Sequence, residues 1–194
     1  MTEDKPGIER WTPCSCSSAV GMWDRAIIPV TDAIRRRAEP TILRVIKWYE
    51  ENAPLRNEQR DWRFFNDREG WELDLRVGHL AEVAFSEATG YRWLEGKDPH
   101  RVVDVDPDWD VKFRWELGLW VTKKRGKDWV RYAFASGNQD IIAFYGFATG
   151  AAVKERGTPG VRFGEDGWWL DVGGLHRFPD GPKLHRAVDG PRVG

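Results

Sequence analysis

Hydrophobic positions along the chain fall first into a helical period and later into a strand period. Ile42, Val45, Ile46 and Tyr49 recur at three- and four-residue intervals, the spacing of a helix with one buried face over about 41–52. An earlier helix should start near Thr31, a good N-cap, with Asp32 favourably placed in the first turn. Pro40 should interrupt that helix and Pro54 should close the next. Residues 56–75 mix charges with Trp62, Phe64 and Phe65 and give no clear period. From Arg76 to Thr89 the period returns. Val77, Leu80, Ala81, Ala84 and Phe85 share one face, and Gly90 stands where a glycine often ends a helix. Glu82 is offset from that stripe and so is free to face a cleft.

After Gly90 the pattern shortens to alternation. Residues 101–105 form a short β-type run, and Asp106-Pro107-Asp108 is turn chemistry. Trp109, Val111, Phe113 and Trp115 then alternate with Asp110, Lys112 and Arg114, which predicts a strand with an apolar core face. Further strands are expected over 117–121, 129–135 and 140–149, with a basic hairpin turn over 123–127. A loop or short helix should follow near 150–154, and a small strand pair around Trp168-Trp169-Leu170. Helices followed by a meandering sheet predict an α/β fold of the α+β kind, with N-terminal helices packed on a mixed central sheet. The polar, turn-rich 1–25 read as a flexible arm, 26–178 as one domain and 179–194 as a flexible tail.

Composition narrows the class. A chain of 194 residues is long enough for one domain with a sizeable core. Its 30 basic and 31 acidic residues leave a net charge of −1, so no global field attracts nucleic acid and any phosphate contact must come from local clusters. Arg35-Arg36-Arg37 is one such cluster; Lys123, Lys124, Arg125 and Lys127 form another. Each also suits a solvated face. Cys14 and Cys16 are too close for a relaxed disulfide and too few for a zinc site. The N-terminus lacks a basic and apolar leader pattern, and no apolar run reaches the length of a membrane span. The expectation is a cytoplasmic protein without membrane attachment. Twelve tryptophans supply core and half-buried surface, or a platform on which bases stack.

The stretch from Val102 to Lys112 carries the candidate chemistry. Asp110 and Lys112 lie two apart on one strand, so both leave the same face. Asp104 ends the preceding run, and a hairpin would bring it within a few ångströms of Asp110. Two carboxylates that close repel unless a cation lies between them. Mg²⁺, bound through one or two carboxylates plus water and phosphate, fits that role. Lys112 could then hold or deprotonate an attacking water, or steady phosphate charge. The same five aspartates between 98 and 110 would also suit a calcium-type loop or a solvated acidic turn.

The order of these motifs resembles the PD-(D/E)xK nuclease superfamily, with its restriction-endonuclease-like core. Gly78-His79-Leu80-Ala81-Glu82-Val83-Ala84-Phe85 looks like the glycine-to-Glu-x-Ala helix of small phage-encoded members. Asp104-Val105 and Trp109-Asp110-Val111-Lys112 resemble their acidic hairpin. Arg131 to Gly137, Ile141 to Gly146 and Ala152-Val153-Lys154 resemble their next two strands and the segment after them. The resemblance covers roughly residues 76–156. It implies Glu82, Asp104, Asp110 and Lys112 as catalytic residues, and Asp104, Asp110 and the Val111 carbonyl as ligands of Mg²⁺ or Mn²⁺. Arg114 would be the polar residue following the lysine. The gap from Asp104 to Asp110 is shorter than in many members, which leaves Asp106 or Asp108 as substitutes for Asp104.

The implied activity is metal-dependent hydrolysis of DNA phosphodiesters by a phage- or mobile-element-encoded nuclease. Arg114, Lys123, Lys124, Arg125, Lys127 and Lys154 are the candidate nucleic-acid contacts. Trp109 and Trp115 are expected in the core, while Trp168-Trp169 suits a stacking surface or a homodimer contact. Two rival readings stand beside this one. The first is a nuclease-fold DNA-binding or protein-interaction factor without catalysis, and the second an aromatic-rich structural or assembly protein.

Overall fold

The computed structural model describes residues 26–56, 62–95, 103–162 and 165–178. The terminal arm and tail, with Cys14 and Cys16, lie outside these residues. Thr31 Oγ1 accepts from the Ile34 N–H at 3.3 Å, the N-cap expected from the sequence. Helix α1 then runs Asp32–Arg56 as one element, which corrects the expectation of two helices parted at Pro40. Ile34 and Ala38 before the proline, and Ile42 and Ile46 after it, enter the same core. Burying each of the three isoleucines contributes about 1.5–3 kcal/mol, enough together to outweigh the ~3 kcal/mol of an interior proline.

Helix α2 covers Trp62–Asn66, and α3 covers Arg68–Thr89. The start of α3 lies about two turns before the periodic stripe, because Asp67 caps it by accepting from the Gly70 N–H at 3.1 Å. Gly90 ends α3 as expected, at φ 75°, with its N–H on Ser86 O. That left-handed backbone favours glycine.

Two sheets follow. The first has the order β1 (Ala26–Pro29), β5 (Ile141–Thr149), β4 (Arg131–Gly137), β2 (Trp109–Phe113). Its β2–β4 pair is parallel and its other pairs are antiparallel. The second sheet is antiparallel, ordered β3 (Gly118–Thr122), β7 (Glu165–Asp171), β6 (Thr158–Arg162). Helix α4, Gly150–Arg156, follows β5. The architecture is α+β, with helices on a mixed sheet.

Three strand expectations need correction. Val105 forms only isolated bridges, to Trp93 and to Trp109, so the run before the acidic turn is not a strand within the described residues. β3 leaves for the second sheet, so 123–127 is a crossover turn and not a hairpin between paired neighbours. Trp115 lies past the end of β2, half exposed at 50%, and its indole N–H donates to Asp74 at 2.7 Å.

The first sheet is buried on both faces, which explains why all of Tyr132 to Ala135 is buried. Ala133 and Ala135 join Val111, Phe113 and the α1 and α3 residues in one core. Tyr132 and Phe134 join Leu119, Val121 and Leu170 in a second core toward the other sheet. Along β5 the faces swap partway. Phe144 packs in the first core and Ala148 in the second, and a register shift between Phe134 and Ala135 accompanies the swap. Gly146 sits at that irregularity with φ 146°, where a Cβ would meet His176 O at 2.4 Å. Only glycine fits there.

Candidate functional site

Strand β2 carries Trp109, Val111 and Phe113 into the core that faces α3. Its alternate residues Asp110 and Lys112 therefore leave the opposite face, beside Tyr132 and Phe134 of β4. There Lys112 Nζ touches both oxygens of Asp110, at 2.8 and 2.7 Å. The pair is largely withdrawn from water, with side-chain exposures of 15% for Lys112 and 4% for Asp110. The same-face geometry expected for the two residues is present.

The other expected members have different partners. Asp104 Oδ2 accepts from the Val111 backbone N–H at 3.1 Å, so this carboxylate runs along the edge of β2. A two-way bridge between Val105 and Trp109 and a further bond from Asp104 N to Trp109 O hold the turn closed, and Asp106–Pro107 within it is cis. Glu82 belongs to α3, on the far face of the sheet. Its carboxylate accepts from the Trp93 indole at 3.0 Å and lies 3.2 Å from His79 Nδ1. The expected convergence is thus divided: Asp110 with Lys112 on one face, Asp104 on the strand edge, and Glu82 with His79 and Trp93 on the helix side.

Among the described residues no group of three or more His, Cys, Asp or Glu is placed to hold a metal. A hard cation held by one or two carboxylates and water needs fewer donors; Asp110 and Asp104 are the carboxylates offered, Asp110 with both oxygens on Lys112 Nζ and Asp104 with Oδ2 on the Val111 N–H. The aspartates proposed as substitutes are engaged elsewhere. Asp106 pairs with Arg92 at 2.8 Å, and Asp108 takes a forked ion pair from Arg131, whose guanidinium also lies 4.4 Å from the Trp109 ring centre.

Beside Lys112 is a half-open pocket of about 210 Å³, lined by Lys112, Arg114, Trp120, Thr122, Arg125 and Glu165. Its lining comes from β2 and the residue just past it, from β3 and the turn that follows, and from the start of β7. Burial pulls the Arg114 guanidinium below its ordinary range, and the charges of Asp74 and Asp110 oppose that shift. Arginine nevertheless stays charged in proteins.

The turn that contributes Arg125 is held from beneath. The Tyr132 hydroxyl donates to Arg125 O at 2.7 Å and accepts from the Lys127 N–H at 3.2 Å. Burial pushes this phenol up to about 12, and the nearby charge of Asp110 adds to the shift. Gly150, first residue of α4, packs so closely on the turn that a Cβ would lie 2.0 Å from Lys127 O. The turn is therefore fixed by the core rather than by its own exposed charges.

The candidate phosphate contacts divide as well. Arg114 and Arg125 line the pocket. Lys124 and Lys127 are exposed. Lys123 pairs with Asp166 at 3.3 Å, and Lys154 pairs with Asp128 at 2.5 Å with its ammonium 5.7 Å from the Trp168 ring centre. Arg162 covers Trp169 at 4.4 Å, so both tryptophans of the expected stacking surface have a cation over them. Trp120, Thr122 and Glu165 were not expected at the site. Thr122 left a faint signal, a polar residue closing the apolar run Gly118–Val121. Glu165 left none, since only the pairing of β3 with β7 brings it near.

No helix among the described residues is long and apolar enough to cross a membrane. No protein-family model matches the chain, and neither a curated protein nor a solved structure shows significant similarity to it.

Proposed function

We propose that this protein is a metal-dependent nuclease that hydrolyses DNA phosphodiester bonds, built on a variant of the restriction-endonuclease-like core. The observation that carries the reading is the Asp110–Lys112 pair, withdrawn from solvent yet adjoining a pocket with two further cations. An Asp-x-Lys pair on an ordinary surface would be spread into water. Here the fold keeps the two groups together beside a space large enough for a phosphate.

Asp110 and Asp104 would hold Mg²⁺ or Mn²⁺, with the Val111 carbonyl as a further ligand. The ion would supply charge neutralisation and a water of lowered pKa. Lys112 orients the attacking water and takes up negative charge on the phosphate. Arg114 and Arg125 draw the backbone toward the pair. Glu82 acts here through packing: with His79 and Trp93 it fixes α3 against the Trp93–Val105 bridge that leads into the acidic turn. The chemistry suits a phage- or mobile-element-encoded enzyme acting on DNA in the host cytoplasm.

The test is cleavage of plasmid and oligonucleotide DNA with Mg²⁺ or Mn²⁺. Asp110→Asn and Lys112→Ala should each abolish it. Activity that survives both substitutions, or survives EDTA, overturns the proposal. A second reading, DNA binding without cleavage, draws on the separate placement of Glu82. It predicts salt-dependent binding with no strand scission under any divalent metal.

A further inference from the structure

Three buried side-chain polar atoms among the described residues have no hydrogen-bond partner: Trp109 Nε1, Arg114 Nε and Thr122 Oγ1. Two of the three belong to residues that line the pocket beside Lys112. Buried polar groups in folded proteins are nearly always satisfied, and leaving one unmade costs free energy. A guanidinium cannot relieve the cost by losing its proton. Both atoms are shielded from solvent but belong to residues that line one cavity, and a small turn of each side chain toward an acceptor-rich ligand held there would satisfy them together.

The rest of the lining defines that ligand. Lys112, Arg114 and Arg125 are cationic and Glu165 is the single carboxylate. Guanidinium groups match the oxygens of phosphate in fixed, forked geometry. A threonine hydroxyl can donate to a third oxygen. The space, about 210 Å³, far exceeds the ~15 Å³ that one water requires. Trp120 is buried, at 3% exposure, and closes one side as an apolar wall instead of offering a ring for stacking. The backbone that carries Arg125 is placed in advance by the two Tyr132 hydrogen bonds to its turn, so only the exposed side chain has to order on binding.

We infer that Arg114, Thr122 and Arg125 form an oxyanion site for a single phosphate group, adjoining the Asp110–Lys112 pair and separate from it in action. The inference rests on the reading of this face as phosphate-directed, but it does not require hydrolysis. The phosphate is either a terminal monoester or a diester within a strand, and the chemistry of the site is common to both.

The experiment is titration of the full-length protein by calorimetry with three probes. These are inorganic phosphate, a 5′-phosphorylated oligonucleotide and the same oligonucleotide with a 5′-hydroxyl, all in EDTA so that cleavage cannot contribute. Thr122→Val is close to isosteric and removes an unpaired hydroxyl. Its melting temperature should match or exceed that of the unsubstituted chain, while affinity falls roughly tenfold or more, as for a lost hydrogen bond to a charged group. Arg125→Gln, on an exposed turn, should weaken binding similarly. Arg114→Lys keeps the charge but removes Nε and should also weaken it.

A stronger response to phosphate and to the phosphorylated end identifies a monoester site. An equal response to both oligonucleotides identifies a diester site, and either result supports the inference. Affinity for all three probes unchanged in Thr122→Val and Arg125→Gln overturns it, as does an absence of binding to any probe. Lack of DNA cleavage alongside intact phosphate binding would count against the nuclease reading alone.

Discussion

Replacing Lys112 by methionine isolates the pair on which the site depends. The substitution nearly preserves side-chain volume but leaves a carboxylate of 4% exposure facing the protein interior. Removing one partner of a fully buried ion pair costs about 3–5 kcal/mol. Lys112 itself retains 15% exposure, and Arg114 remains near enough for its charge to couple to Asp110. The low end, about 3 kcal/mol, is therefore expected. Asp110→Asn should cost less, about 1–2 kcal/mol, because the released ammonium can turn into the pocket and hydrate. The double variant, with neither charge, should fall within about 1 kcal/mol of the unsubstituted protein.

Those values imply a coupling energy of about 3–5 kcal/mol between the two positions. Urea denaturation followed by tryptophan fluorescence measures all four proteins, and unchanged m-values would show that the unfolded reference is common to them. A coupling of about 0.5 kcal/mol or less would refute the reasoning. The pair would then behave as exposed surface ion pairs do, and the site would not be the withdrawn, fixed arrangement described above.

Three other outcomes follow from the surrounding structure. Tyr132→Phe should destabilise by about 1–2 kcal/mol, since it removes both hydroxyl bonds to the turn and leaves Arg125 O and the Lys127 N–H with only their mutual bond at 2.8 Å; chemical denaturation at neutral pH measures it. The raised phenol implies stability that is full below pH 10 and lost as pH climbs toward 12, because the unfolded chain gives up that proton first. Denaturation midpoints over that range should fall more steeply in the unsubstituted protein than in Tyr132→Phe. Gly150→Ala would place a methyl 2.0 Å from Lys127 O. It should lower the melting temperature and loosen the 123–127 turn, seen as faster amide exchange there.

Much of the fold was legible because local signals and burial agree. Gly90 ends α3 and Thr31 begins α1 where backbone chemistry requires. The alternation from Trp109 to Phe113 correctly separates core side chains from Asp110 and Lys112. What local rules missed was set by tertiary packing. Pro40 sits inside a helix because apolar residues on both sides of it share one core. β3 reads as the continuation of a meander, but its residues Leu119 and Val121 cover Tyr132 and Phe134 from a second sheet.

The site was legible only as far as one strand reached. Period two places Asp110 beside Lys112, and the structure agrees. Nothing in the spacing shows that Trp93 would draw Glu82 to the other side of the sheet, or that Asp104 would be occupied by the Val111 N–H. Thr122 and Glu165 reach the pocket through pairing of strands distant in sequence. Such pairings leave little trace in a single chain's pattern.

Action of Asp110 and Lys112 on phosphodiesters is read out by single-turnover cleavage of end-labelled DNA in millimolar Mg²⁺ or Mn²⁺. Products are expected from the unsubstituted protein, none after EDTA, and none from Asp110→Asn that retains its circular dichroism spectrum. Intact substrate under both metals, or equal cleavage by Asp110→Asn, would contradict it.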